Sequence, residues 1–78
     1  MQMIPVKSSN IKAAGHEANT MRVEFTNGTV YDYPGVSAEL FNNFMQAESQ
    51  GRYYHQFIKG KFNGTRVEKD KENGQGKM

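Results

Sequence analysis

Phe25-Thr26-Asn27-Gly28-Thr29-Val30-Tyr31-Asp32-Tyr33 decides the architecture of this chain. Before it, Thr20 to Thr26 alternates Met21, Val23 and Phe25 with Arg22, Glu24 and Thr26, the period-two pattern of a strand with one face buried. Asn-Gly is the strongest short-range signal for a hairpin, and Thr29 to Tyr33 is its returning strand. Tyr31 and Tyr33 lie two residues apart on that strand, so they share a face. Buried, they are core; wet, they form a platform on which a nucleobase could stack.

The loop length decides between these outcomes, because a slip of one residue reverses every side chain. A two-residue loop at Asn27-Gly28 pairs Thr26 with Thr29 and sends the tyrosines to the polar face of Arg22 and Glu24. A three-residue loop, Thr26-Asn27-Gly28 with Gly28 left-handed, sets Tyr31 against Val23 and Tyr33 against Met21. The second register is favoured, since a small domain needs the aromatic mass inside. It leaves Arg22, Glu24, Val30 and Asp32 on the outer face.

Upstream, residues 3–8 suit a short strand that Pro5 confines to a sheet edge, and Ile11 to Gly15 suits a second, followed by a polar connection from His16 to Asn19. Downstream, Pro34-Gly35 stops the hairpin and Ser37 offers a helix N-cap, with Glu39 in the first turn. Leu40, Phe41, Phe44, Met45 and Ala47 then form an apolar stripe at helical spacing. Ser49-Gln50-Gly51 interrupts this helix, and a second is predicted over Arg52 to Lys59 with Tyr54, Phe57 and Ile58 inward. Thr65-Arg66-Val67 suits a closing strand. The predicted fold is α+β: a small antiparallel sheet of three to five short strands with two consecutive helices packed on one face. Its predicted core is Val23, Phe25, Leu40, Phe41, Phe44, Phe57 and Ile58, joined by Tyr31 and Tyr33. Residues 1–67 form one domain, and the polar stretch 68–78, lacking apolar residues before the terminal Met78, reads as a disordered tail.

Seventy-eight residues without a cysteine exclude disulfides and thiolate metal sites. A cysteine-free chain with neither signal-peptide features nor a long apolar run points to a soluble, cytoplasmic protein with no membrane partner, expected to be a monomer. The net charge is only +2, but it is segregated along the chain. Residues 17–48 are acidic, whereas residues 49–67 carry Arg52, Lys59, Lys61 and Arg66 and no acid. Lys7 and Lys12 precede the acidic stretch, so a basic face forms if the two positive segments meet in the fold.

Catalytic chemistry has few candidates. Ser9, His16 and Asp32 supply the residue types of a triad, but no strained elbow surrounds the serine. Ser8 and Ser9 better suit hydrogen bonds to the backbone where the first strand breaks. His16 and His55 are too few for zinc and are not at ligand spacing. No glycine-rich phosphate loop is present. The reading is of a protein that is not an enzyme, with no cofactor and no metal.

Ser8-Ser9-Asn10-Ile11, Gly15, Val23, Phe25, Gly28, Tyr31-x-Tyr33, Val36, Ala47, Ser49-x-Gly51-x-Tyr53 and Ile58-Lys59, taken in order, resemble the KTSC domain. This is a small bacterial and phage domain named for its occurrence at the C-terminus of some lysyl-tRNA synthetases. The resemblance spans about residues 6–67. Ser37 replaces the usual proline after Val36, His16 stands where tyrosine is common, and Tyr54 and His55 replace phenylalanine and asparagine. The resemblance implies a stand-alone module, of phage or prophage accessory type, for which RNA binding has been suspected from its attachment to a tRNA-charging enzyme.

Two functions follow as expectations. In the first, the protein binds RNA or another nucleic acid: Arg52, Lys59, Lys61 and Arg66 neutralise phosphates, Lys7 and Lys12 extend the path, and Tyr53 stacks a base. The plainer reading of the same residues is a solvated charged face beside a packing tyrosine. In the second, the domain docks a protein partner through a sheet edge or an aromatic patch.

Overall fold

The computed structural model describes residues 1–67; the tail expected over 68–78 lies outside the described residues. Five strands form one antiparallel sheet in chain order: β1 (Ile4–Pro5), β2 (Ile11–Glu17), β3 (Thr20–Phe25), β4 (Val30–Pro34) and β5 (Thr65–Val67). Between β4 and β5 the chain forms α1 (Ala38–Gln46) and α2 (Gln50–Tyr53), and α2 runs directly into a π-helical segment (Tyr54–Lys59). Strands and helices segregate as expected for an α+β domain. Among the described residues no helix is long and apolar enough to cross a membrane.

The hairpin adopts the three-residue loop. Val23 pairs with Tyr31 and Met21 with Tyr33, Phe25 N–H donates to Thr29 O at 2.8 Å, and Gly28 sits at φ +95°. Tyr33 is buried and Tyr31 half-buried, both on the helix-bearing face. On the other face Arg22 grips Asp32 through two hydrogen bonds of 2.7 and 2.9 Å. Val30 lies there too, opposite Val67, and is buried.

Two features of β2 went beyond the sequence pattern. The connection expected from His16 to Asn19 is shorter, since His16 and Glu17 continue the strand. The reversal is a two-residue loop with Ala18 at φ 52° and Asn19 at φ 59°, the left-handed pair such a turn demands. Alanine seldom accepts that conformation, so the sequence carried no hairpin signal there. The register also shifts between Ile11 and Ala13. This bulge lets Ile11 and Ala14, an odd number of residues apart, both face the helices, where they are 1% and 0% exposed.

The Ser37 hydroxyl caps α1 by accepting from Leu40 N–H at 3.1 Å. The helix packs Phe41 and Phe44 onto Met21, Val23 and Val36, with Leu40 and Met45 at the margin. His16 Nε2 donates to Val36 O at 2.7 Å, and its ring stacks on Phe41.

Helix α2 begins at Gln50, inside the stretch expected to interrupt the first helix and ahead of the start predicted at Arg52, and Phe57 corrects the predicted core. Tyr54 and Ile58 are buried, but Phe57 is 41% exposed. The wide i→i+5 turn of a π-helix is the reason. Widening the turn rotates residue i+3 away from residue i while keeping i+4 beneath it, so Tyr54 and Ile58 share the buried face. Phe57 instead stacks on Tyr53, with ring centroids 4.5 Å apart.

Candidate functional site

The helical layer does not cover the whole sheet. Beside the β3–β4 turn an open cleft of about 670 Å³ remains between that hairpin, the Asn10 loop and the segment from Gly51 to Lys59. Its wall is aromatic. Phe25, Tyr31, Tyr33 and Tyr54 form a closed circuit of ring contacts with centroid separations of 6.0, 6.4, 5.8 and 5.6 Å. Most of these contacts are edge-to-face, the arrangement the ring quadrupole favours. Tyr31 and Phe25 are the half-exposed members, so they present ring surface to a ligand.

The two buried members are fixed through their polar ends. Tyr33 and Tyr54 bring their hydroxyls within 2.5 Å of each other. Burial pushes the Tyr54 phenol well above its usual range, and the hydrogen bond and the neighbouring phenols of Tyr33 and Tyr31 add to the shift. Tyr54 therefore stays neutral at physiological pH. Gly64 packs on the other side of this pair, where a Cβ would stand 2.6 Å from the Tyr33 ring.

The mouth of the cleft is polar. Asn10, Thr26 and Asn27 border it on the sheet side, and His55 and Lys59 on the helix side; among the described residues no carboxylate lines it. Asn27 Oδ1 already accepts from Thr29 N–H at 2.9 Å, so its NH₂ group is the donor the side chain retains for a ligand.

Three residues, Ser8, Gly51 and Gln50, assemble this edge. The Ser8 hydroxyl accepts from Asn10 N–H at 3.2 Å and Ile11 N–H at 3.4 Å, which turns the chain into β2. A Cβ on Gly51 would meet that same Ser8 oxygen at 2.9 Å, so only glycine allows α2 to approach this closely. Gln50, buried, accepts from Lys7 N–H and donates to Met45 O, both at 3.0 Å. The two basic segments thus meet at Lys7/Gln50 and Ser8/Gly51.

The residues expected to bind nucleic acid divide by position. Lys59 lines the cleft. Arg66 is exposed on β5 directly opposite Tyr31, and cross-strand partners share a face, so it flanks the aromatic wall. Arg52 and Lys61 are exposed but do not line the cleft. Lys7 is exposed near the start of α2. Lys12 lies on the opposite face of the sheet, 4.0 Å from Glu24. Tyr53 is half-buried between Phe44 and Phe57, in a packing position.

Asn10, Phe25, Thr26, Asn27 and Tyr54 line the cleft but are not among the candidate binding residues of the sequence, because only the tertiary fold joins their segments. The catalytic trio does not converge: Asp32 is gripped by Arg22 on the outer face, whereas His16 packs against the helices. Among the described residues no group of three or more His, Asp or Glu side chains could hold a metal ion.

A five-stranded antiparallel sheet bearing two short helices and an aromatic cleft defines a small α+β module. The sequence places it more narrowly: residues 7–62 match the family model of the KTSC domain, and the chain belongs to that family. A crystal structure of a KTSC domain protein from Yersinia pestis superposes with a TM-score of 0.77 at 38% identity, covering 85% of this chain and 96% of that one. A protein from Tsukamurella paurometabola is 39% identical over 77% of this chain and 92% of its own length. A lysine–tRNA ligase of Trichormus variabilis is 37% identical over 77% of this chain, but the match spans only 11% of the ligase.

Proposed function

We propose that this protein is a small, non-enzymatic RNA-binding module acting in the cytoplasm. One observation carries the reading: the half-exposed Tyr31 lines a cleft together with Lys59, has Arg66 as its cross-strand neighbour, and among the described residues meets no carboxylate in that lining. Cations beside an accessible aromatic ring suit a ligand that is both anionic and flat, which is the chemistry of a nucleic-acid strand. The basic stretch 49–67 supplies the phosphate contacts, and the acidic residues Glu24 and Asp32 lie on the far face of the sheet. The occurrence of a similar segment within lysine–tRNA ligases favours RNA over DNA by association.

The test is an amide chemical-shift titration of labelled protein with a mixed RNA pool at low and moderate salt. The expected shifts cluster on Tyr31, Lys59 and Arg66 and weaken as salt rises. If no resonance moves even at low salt, the RNA reading fails. The exposed Phe57, stacked on Tyr53, then favours the second reading, a module that docks a protein partner through this aromatic patch.

A further inference from the structure

We infer that the aromatic cleft receives a single unstacked nucleobase, so that the module binds single-stranded RNA in preference to duplex. This inference rests on the RNA-binding reading and sharpens it. Four properties of the cleft select this occupant.

Its size comes first, since about 670 Å³ is room enough for a base together with its sugar and phosphate. A base still stacked in a helix could not enter, because its faces are already covered. The ring surface comes second. Tyr31 and Phe25 are half-exposed, whereas the Tyr33 and Tyr54 hydroxyls satisfy each other and offer a closed wall. A flat aromatic guest gains by stacking on such rings, whatever its identity.

Charge comes third. Aromatic boxes also capture ammonium groups, but such a guest is repelled by Lys59 in the lining, where the described residues include no carboxylate to offset it. Lys59 and Arg66 instead suit the phosphate attached to a base. The mouth comes fourth. Asn10, Thr26 and Asn27 border it with amide and hydroxyl groups; the Thr26 hydroxyl donates to Ser9 O at 3.5 Å and keeps lone pairs to accept, and Asn27, whose Oδ1 holds Thr29 N–H, keeps its NH₂ to donate. Such groups hydrogen-bond the exposed edge of an unpaired base, as in single-strand recognition generally. Ser8 holds Asn10 in place through the backbone, so this edge is organised before the ligand arrives.

The experiment titrates the labelled full chain with four probes: nucleoside 5′-monophosphates, ribose 5-phosphate, a single-stranded oligoribonucleotide, and the same sequence as a blunt duplex. The monophosphates and the single strand are expected to shift Asn10, Phe25, Asn27 and Tyr31 as well as Lys59. Ribose 5-phosphate, which has no base, is expected to leave Phe25 and Tyr31 unmoved. The duplex should bind at least tenfold more weakly than the single strand. Tyr31→Ala should weaken single-strand binding roughly tenfold, in keeping with the loss of one stacked base. The spectrum of each variant reports whether it is folded. Thr26→Glu, at an exposed position on the lip, provides a second variant that places a carboxylate against the phosphate and should also weaken binding. Equal affinity for duplex and single strand, with Tyr31→Ala and Thr26→Glu both silent, overturns the base pocket and leaves the RNA-binding reading standing. Absence of binding by any RNA overturns both.

Discussion

The hydroxyls of Tyr33 and Tyr54 meet at 2.5 Å inside the wall of the cleft, joining β4 to the π-helical segment across 21 residues of chain. Both residues are at least nine-tenths buried, at 4% and 7% exposure, and each hydroxyl has the other as its hydrogen-bond partner. Removing one oxygen strands the other. Tyr54→Phe and Tyr33→Phe are each expected to lower stability by about 1–3 kcal/mol, the cost of an unsatisfied buried polar group. Replacing both leaves two apolar rings in the same space, and the double variant should recover most of the loss. Urea denaturation of the four proteins measures the coupling directly; strictly additive losses would contradict the pairing.

The same pair sets a limit in alkali. Burial raises the folded Tyr54 pKa above its unfolded value of about 10. The stability contributed by the neutral phenol is fully present below about pH 10. Above that, the unfolded chain ionises first and gains free energy that the folded protein cannot, so stability falls as pH climbs toward the folded value. Denaturation midpoints should be insensitive to this group between about pH 7 and 9 and drop above about pH 10. The drop should be shallower in Tyr54→Phe, and identical slopes in the two proteins would refute the assignment.

Gly51 and Ser8 form a steric pair at the opposite end of the cleft. Alanine at a helical position normally stabilises by about 0.5–1 kcal/mol relative to glycine. Here its Cβ would stand 2.9 Å from the Ser8 oxygen that holds two backbone N–H groups. Gly51→Ala is therefore expected to destabilise. In a Ser8→Ala background that oxygen is gone, the nearest remaining Ser8 atom lies 3.9 Å away, and the same substitution should cost less or become favourable. Thermal melts of the cycle decide it by the sign of the interaction term.

Phe44 and Phe57 look alike in sequence and differ in the fold. Phe44 is fully buried against Phe41 and Tyr53, and Phe44→Ala should cost about 3–5 kcal/mol. That is comparable to the whole stability of many small domains. Phe57, 41% exposed on the π turn, should lose about 1 kcal/mol or less on the same substitution. Comparable losses at the two positions would restore Phe57 to the core and dispute the π-helical register.

What the sequence could convey follows from where the information lies. The β3–β4 register was legible because a left-handed glycine and an alternating strand sit within a few residues of each other. The cap of α1 was legible for the same local reason, a serine three residues before the N–H it receives. The bulge in β2 was not, since Lys12-Ala13-Ala14 breaks the alternation without indicating which residue is extra. Nor was the π turn, because an α-helix over Arg52 to Lys59 buries Tyr54 and Ile58 just as well and differs only at Phe57. Of the site, Tyr31, Lys59 and Arg66 stood out by residue type. The cleft itself depends on Asn10, Phe25 and Tyr54 arriving from three segments, so no spacing along the chain encodes it.

Position on the sheet separates the basic residues by their effect on salt dependence. Log affinity for a single strand falls with log salt at a slope of about −0.7 per phosphate neutralised. Lys59 lines the cleft and Arg66 flanks Tyr31, so Lys59→Gln and Arg66→Gln should each flatten that slope by about 0.7 and weaken binding at low salt. Lys12 points from the other face toward Glu24, and Lys12→Gln should leave the slope unchanged. The contrast matters because all three substitutions remove one positive charge, so a nonspecific response to net charge would shift them equally. Anisotropy of a labelled single-stranded RNA across a salt series distinguishes these cases. Equal flattening by all three variants would mean that the protein meets RNA through its overall charge rather than through the face that carries Tyr31.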